Sequence, residues 1–159
     1  MKVTNLLLII LNAYFILSCL TVERNYCARE LKSDDTRLLM KETYEYAKAN
    51  NPLFFSRPEW LRKATCISSY GLVLGYVVIV VTALTDTWNG SQAFLINMFV
   101  GAKVYALFYY HFMEFTDPEL APWNSLGGYW AAESPYLIGI GLTTYMLLTA
   151  KGVNKIKYE

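Results

Sequence analysis

Ionisable side chains inside otherwise apolar stretches are the residues of this chain best suited to chemistry. Lys103 lies eleven residues from both Gln92 and Glu114, in the middle of an apolar and aromatic run. An ionisable group near mid-bilayer costs about 2.5–3.5 kcal/mol on insertion scales, so each such group is a candidate functional residue. Helical spacing of about 100° per residue puts Lys103, Tyr110 and Glu114 on one stripe, with His111 about 80° from Lys103.

These side chains predict a polar pocket between helices. A following antiparallel helix would bring Glu133 to the depth of His111 and Glu114. The predicted pocket has these three at its mouth, with Lys103 as its floor and Tyr110 as its wall. Two carboxylates and an imidazole could bind a cationic ligand or transfer a proton. The alternative is that these residues have only structural roles. The two carboxylates would then lie at helix ends that reach water, and His111 would hydrogen-bond a neighbouring backbone group. Lys103 would pair with a carboxylate or carbonyl group inside the bundle or on a partner subunit.

The elements that would position this pocket are visible as windows without charge. The 159 residues are 55% hydrophobic and only 17% charged, with a mean hydropathy of +0.26. Soluble domains carry about 25% charged residues, so the composition favours lipid as the solvent. A helix needs about 20 largely apolar residues to cross a bilayer. The predicted fold is all-α, one domain of four membrane-spanning helices over residues 3–22, 60–85, 92–114 and 128–150.

The first span has a second possible interpretation. It follows Lys2 and also resembles a secretory signal peptide, and we interpret it as a retained helix. Aromatic residues gather where spans meet loops, as an interfacial belt would place them. These are Trp60, Trp88, Tyr109, Tyr110, Trp123, Tyr129 and Trp130.

The polar stretch 23–63 holds nine basic and seven acidic residues and predicts a solvated segment between the first two spans. It predicts one amphipathic helix over residues 33–50. Ser56 and Glu59 have capping-box spacing, with Pro58 in the first turn of the next helix. The basic residues of this segment outnumber Lys2 and the three lysines after residue 150, so a simple count puts this loop on the inner side.

Composition also excludes several classes of function. A net charge of +1 without a basic stripe argues against nucleic-acid binding. Three scattered cysteines, Cys19, Cys27 and Cys66, predict neither a disulfide framework nor a zinc site. A single histidine excludes bis-histidine haem ligation. We therefore expect no metal, no cofactor and no soluble enzyme.

Four short motifs stand out, YAK at 46–48, NPL at 51–53, PEW at 58–60 and PYL at 135–137, together with Glu114 at the end of the third span. In these residues the chain resembles the EXPERA family, nearest to its sigma-two receptor group, and Glu114 matches the family's acid at the end of the third helix. It implies a four-helix fold of the endoplasmic reticulum that houses sterols or cationic amphiphiles, and one branch isomerises sterols with a histidine and carboxylates. The second span here has no histidine or carboxylate, Asn51 stands where an acid is common, and Lys103 adds a positive charge.

These departures favour a non-catalytic membrane protein, an accessory or assembly subunit of a larger complex such as a respiratory one. The alternative is an intramembrane sterol- or lipid-binding receptor or transport factor, with a sterol double-bond isomerase as a third interpretation. Membrane lipids, a bound sterol and other membrane subunits are the expected partners. A complex subunit would sit in the mitochondrial inner membrane, and a protein that follows the family would sit in the endoplasmic reticulum.

Overall fold

A computed structural model describes residues 2–117, 119 and 121–150, and no strand occurs in these ranges. The all-α prediction is therefore confirmed over the described residues. The helices are α1 (Val3–Ala28), α2 (Met40–Asn50), α3 (Leu53–Ser56), α4 (Glu59–Thr85), α5 (Gly90–Thr116) and α6 (Leu126–Thr149), with a 3-10 turn at Trp123–Ser125.

Three of the described helices, α1, α4 and α5, are long and apolar enough to cross a membrane. They indicate an integral membrane protein. The fourth predicted span, 128–150, corresponds to α6, which is not in that set. Its first half carries Glu133, Ser134 and Pro135 among aromatic and small residues, and these lower its mean hydropathy. Helix α6 packs against α1 and α5, and α1 has its most extensive contact with α4.

Both α1 and α4 contain a π-helical turn, at Cys19–Glu23 and Ser68–Leu72, and the two turns contact each other. A π turn inserts an extra residue into a helix and occurs frequently at functional sites. Because α1 continues through this turn to Ala28, it extends past the predicted end at Val22. Glu23, which the sequence places in the solvated loop, is therefore part of a long helix.

The loop helix begins at Met40 and not at Ser33 as predicted. The backbone N–H of Arg37 donates to Asp35 Oδ1 at 3.0 Å, and the Arg37 guanidinium donates to the same carboxylate. A local side-chain bond of this kind competes with helix formation. Leu39 then takes a left-handed conformation (φ 64°) directly before the helix. These turns explain why the amphipathic pattern over residues 33–39 does not become helical.

The predicted capping box before α4 does not form either. Ser56 donates its hydroxyl to Leu53 O at 2.9 Å, closing the short helix α3. Arg57 is left-handed (φ 45°), and Pro58 occupies the N-cap position without a side-chain hydrogen bond. The missing N–H of proline costs nothing there, since no intrahelical acceptor is available to it.

A disulfide joins Cys27 to Cys66, with 5.0 Å between their Cα atoms, and Cys19 is free and buried. The expectation that the cysteines form no disulfide framework needs correction to this extent, since one bridge is present. It could not be read from the sequence because Cys27 reaches Cys66 only when α1 continues to Ala28 beside the start of α4.

The interior has a membrane layer and a loop layer. The membrane layer packs the far ends of the long helices, with Leu8, Ile79, Ala83, Ile96 and Leu147 buried together. The loop layer covers the opposite end of α1 and α4. Its buried side chains are Tyr26, Leu31, Met40, Ala47, Leu53 and Leu61. Polar residues of the candidate site lie under this loop layer.

Candidate functional site

Glu114 is fully buried, with 0% of its surface exposed, two residues before the end of α5. The hydroxyl of Tyr129, in the first turn of α6, donates to its Oε2 atom. A buried carboxylate is costly unless it is hydrogen-bonded. Tyr129, itself fully buried, provides that partner and ties α5 to α6.

His111 completes a chain of three groups. Its Nδ1 lies 2.6 Å from the Tyr129 hydroxyl oxygen. Since the single phenolic proton is donated to Glu114, the same oxygen accepts from the protonated Nδ1 of His111. The imidazole is then the Nδ1–H tautomer. Its Nε2 atom is buried without a hydrogen-bond partner among the described residues.

The loop layer adds two polar groups to this cluster. Asn51, fully buried, donates its amide to the Tyr110 hydroxyl at 3.1 Å, and both side chains neighbour the Glu114 carboxylate. Tyr46 of α2 lies in the electrostatic field of Glu114 and Glu133. Burial, with these two charges as smaller causes, raises the pKa of the Tyr46 phenol. Together Tyr46, Asn51, Tyr110, His111, Glu114 and Tyr129 form what we call the Glu114 cluster.

The loop is held over this cluster by contacts with the start of α6. Ser125 donates its hydroxyl to Asn50 O at 2.8 Å. A Cβ on Gly128 would stand 1.8 Å from Asn50 Oδ1, so a larger residue at this position would have to displace the Asn50 side chain.

Lys103 lies in a second, separate cluster deeper along α5. Only 7% of its surface is exposed. Its ammonium nitrogen stands 4.8 Å from the ring centroid of Tyr136 and 5.6 Å from that of Tyr76. No carboxylate of a described residue lies within ion-pair distance of it. Two aromatic faces, each worth about 0.5–2 kcal/mol, are its direct partners.

The space beside Lys103 is nearly filled. A cavity of about 10 Å³ is lined there by Asn12, Phe15, Tyr76, Phe99, Lys103 and Tyr136. That volume holds about one water molecule. Phe15 stacks on Tyr136, with ring centroids 4.4 Å apart, and fills the position that an open pocket would leave empty.

Glu133 interacts electrostatically with both clusters, and Glu23 interacts with Tyr76 and Tyr136 of the Lys103 cluster. Glu133 is half-buried and makes no hydrogen bond with a described residue. Glu114, Lys103 and Glu23 all act on its charge at a distance. Glu23 is near the Cys19 thiol, with 3.5 Å between Oε2 and Sγ. The single predicted pocket is thus two clusters, with Tyr110, His111 and Glu114 in one, Lys103 in the other and Glu133 directly bonded to neither.

Sequence reasoning missed several participants, among them Tyr129, Glu23 and Tyr76. Tyr129 was assigned to an interfacial belt, although its position one turn before Glu133 puts both on one face of α6. Glu23 was assigned to the loop because α1 was predicted to end too early. Tyr76 carries no sequence signal, since one tyrosine in an apolar helix is unremarkable until a lysine is found beside it.

Chemically, the Glu114 cluster is a carboxylate–phenol–imidazole chain with a buried acceptor at each end. It can hold a proton, or accept a hydrogen bond from a small donor. No group of three metal-ligating side chains is found in the part of the chain that the structure describes. No family model, no curated protein and no solved structure matches the chain.

Proposed function

We propose that this chain is a non-catalytic integral-membrane protein with an EXPERA-like four-span core, and that it acts as an accessory subunit of a larger membrane complex. The observation that carries the proposal is the direction of two polar side chains of α5. Asn97 and Tyr105 are exposed on its outer surface, well inside the helix. An outer face that touched only lipid would carry neither.

Exposing these two polar side chains to hydrocarbon would cost free energy, and this cost supports a helical partner. Tyr105 is 71% exposed and lies about 16 Å along the axis from the Thr116 end of α5 and about 22 Å from the Gly90 end. Its hydroxyl makes no hydrogen bond with a described residue. The Asn97 amide donates to Ala93 O at 2.9 Å, which leaves its carbonyl oxygen unoccupied. In hydrocarbon an unpaired hydroxyl or amide costs several kcal/mol, and polar groups of this kind join transmembrane helices.

Gly101 lies between these two residues on the same stripe, one turn from each. Nothing lies within 4 Å of the Cβ that another residue would have there. A glycine on an outer face lets a second backbone approach closely. We call Asn97, Gly101 and Tyr105 the outer α5 stripe, and its proposed occupant is a transmembrane helix of another subunit that donates a hydrogen bond to Asn97.

The closed interior supports the non-catalytic part of the proposal. Small-molecule sites measure about 300–1,000 Å³, whereas the cavity beside Lys103 measures about 10 Å³. An isomerase also needs a proton donor and an acceptor on opposite sides of its substrate. His111 and Glu114 instead share one tyrosine on one side.

The fourth crossing and the EXPERA relationship belong to the same proposal. Helix α6 has 24 residues and spans about 36 Å, enough for a bilayer. The motif residues that carry the resemblance have structural roles that fit a shared core: Asn51 bonds Tyr110, Pro58 begins α4, and Tyr136 covers Lys103.

A lipid- or sterol-binding receptor is the second candidate, and one observation favours it. Glu114 Oε1, His111 Nε2, Asn51 Oδ1 and the Tyr46 hydroxyl are all buried without a partner among the described residues. Buried polar atoms are normally hydrogen-bonded. A ligand hydroxyl could serve them, although a water molecule would do so equally well.

Native mass measurement after extraction in mild detergent tests the proposal. We expect the wild-type chain in an assembly several times its own mass, and the double variant Asn97→Leu, Tyr105→Phe as a free chain. Phe94→Leu, an exposed apolar change on the same helix, is the matched control and stays in the assembly. A wild-type chain that is monomeric in every mild detergent would refute the subunit role. A co-purified lipid that is lost in Glu114→Gln would favour the receptor.

A further inference from the structure

We infer that the Cys27–Cys66 disulfide is formed on the oxidising side of the membrane, so that the loop between α1 and α4 faces that side. Disulfides persist in oxidising compartments and are rare where thiol reductants are abundant. The inference needs only that the chain crosses a membrane, and it does not depend on the proposed subunit role.

The two cysteines are held together by contacts other than their own bond. The Arg57 guanidinium donates to the backbone oxygens of Tyr26 and Cys27, at 2.8 and 3.1 Å. The Tyr26 hydroxyl donates to Phe54 O at 3.2 Å. These bonds fix the end of α1, around Cys27, to the loop segment directly before α4.

Both cysteines also lie where a soluble oxidant can reach them. The Arg24 guanidinium stands 5.3 Å from the ring centroid of Tyr70, and both side chains are exposed. Tyrosine is enriched at the headgroup level, and a long arginine side chain near a helix end reaches to it. Cys27 follows Arg24 and Cys66 precedes Tyr70, so both are on the loop side of that pair. Cys27 and Cys66 are each half-buried, whereas Cys19 is buried.

The chemistry is thiol–disulfide exchange with a disulfide-bearing oxidoreductase. One thiolate of this chain attacks the disulfide of the oxidant and forms a mixed disulfide. The second thiolate then displaces the oxidant. The chain loses two protons and two electrons and gains the Cys27–Cys66 bond, while the oxidant is reduced to a dithiol.

This orientation is opposite to the one that the count of basic residues favours. Three of the basic residues in the loop segment are engaged within the structure. Arg37 binds Asp35, Lys63 binds Glu59 and Arg57 binds backbone oxygens. The count is a statistical bias of membrane insertion, whereas a disulfide depends directly on the redox state of its compartment. The opposite end, where Lys2 pairs with Asp86 at 3.0 Å, then faces the reducing side.

Differential alkylation of the full chain in its native membrane tests the bond. Membranes are acid-quenched, free thiols are blocked in denaturant with N-ethylmaleimide, and the sample is reduced and labelled with a heavier maleimide. We expect two heavy labels on the wild-type chain and on Cys19→Ser, and none on Cys27→Ser or Cys66→Ser. A wild-type chain without heavy labels would overturn the inference.

Trypsin added to sealed vesicles of known sidedness tests the orientation without any substitution. The exposed loop residues Arg29, Lys32 and Lys41 provide cleavage sites. We expect cleavage from the oxidising side only. In a cysteine-free chain, Ser33→Cys should react with an impermeant maleimide from that side and Ser91→Cys from the other. Loop cleavage from the reducing side would overturn the inference, and neither result bears on the mass of the assembly.

Discussion

The hydroxyl oxygen of Tyr129 lies 2.6 Å from Nδ1 of His111 and also donates to Glu114, so one phenol at the start of α6 serves two ionisable groups at the end of α5. All three side chains lie where α5 and α6 meet beneath the loop layer. The Tyr129 hydroxyl gives one oxygen of this fully buried carboxylate, Oε2, a hydrogen-bond partner, whereas Oε1 has none among the described residues.

Removing the Tyr129 hydroxyl should therefore destabilise the fold. Tyr129→Phe leaves Glu114 Oε2 and His111 Nδ1 without their partner, and an unsatisfied buried group costs about 1–3 kcal/mol. Thermal unfolding in detergent should show a clearly lower melting temperature. Tyr145→Phe is the control, because Tyr145 is exposed on the same helix. Equal melting of the two variants would contradict a structural role for the cluster.

Lys103 is expected to be replaceable by a neutral side chain of similar length. Lys103→Met loses two cation–π contacts of about 0.5–2 kcal/mol each but no longer buries an ammonium group without an ion-pair partner, and burying such a charge is costly. Lys103→Glu places a carboxylate against the ring faces of Tyr76 and Tyr136 and should unfold the bundle. Detergent melting curves distinguish the two variants. Lys63→Met controls for the loss of one positive charge, and a severe defect in Lys103→Met would indicate a functional charge.

Two glycines one turn apart on α4 should respond differently to alanine. A Cβ at Gly75 would lie 2.0 Å from Phe99 Cδ2, whereas one at Gly71 would meet nothing within 4 Å. Overpacking costs about 1–3 kcal/mol, so Gly75→Ala should lower the unfolding temperature by separating α4 from α5. Gly71→Ala should leave it unchanged or raise it, since alanine is the better helix former. Similar effects in both variants would mean that the contact with Phe99 is unimportant.

The loop turn at Asp35 should open in acid. The side-chain hydrogen bond from Arg37 lowers the pKa of Asp35 from 3.8 to about 2. A carboxylate with a lowered pKa stabilises the folded turn at pH values above its ordinary pKa. This contribution is lost as the pH falls from about 4 to about 2. An NMR titration of the Asp35 carboxyl carbon should show the low midpoint. In Arg37→Gln the midpoint should rise toward 3.8, and an unchanged midpoint would exclude Arg37 as the cause.

From the sequence, most of the ionisable residues were assigned to the correct helices but not to the correct contact partners. Glu114, His111 and Tyr110 were predicted to meet at one end of α5, and they do lie in one cluster. Lys103 was predicted as the floor of the same pocket, yet its direct partners are the aromatic rings of Tyr76 and Tyr136 and not the polar groups of the Glu114 cluster. Helical spacing fixes which face a residue occupies, whereas its neighbours depend on how adjacent helices approach.

The extent of α1 illustrates the same limit. The first charge after the apolar run, at Glu23, was a reasonable end for a membrane helix. In the structure a π turn carries the helix on to Ala28. Glu23 contacts Cys19 within that turn, and Arg24 pairs with Tyr70 of α4. Such contacts come from α4 and from the turn itself and have no counterpart in hydrophobic periodicity.

By itself the sequence determined that the described chain is helical and that it carries helices able to cross a membrane, because charge-free runs of this length bury their backbone polar groups only as helices. It also determined which ionisable residues lie among apolar ones. Only the tertiary structure decided that Tyr129 donates a hydrogen bond to Glu114, that Tyr76 and Tyr136 contact Lys103, and that Cys27 meets Cys66. Each of these depends on side chains brought together from separate helices, and that proximity is set by interhelical packing and not by local pattern.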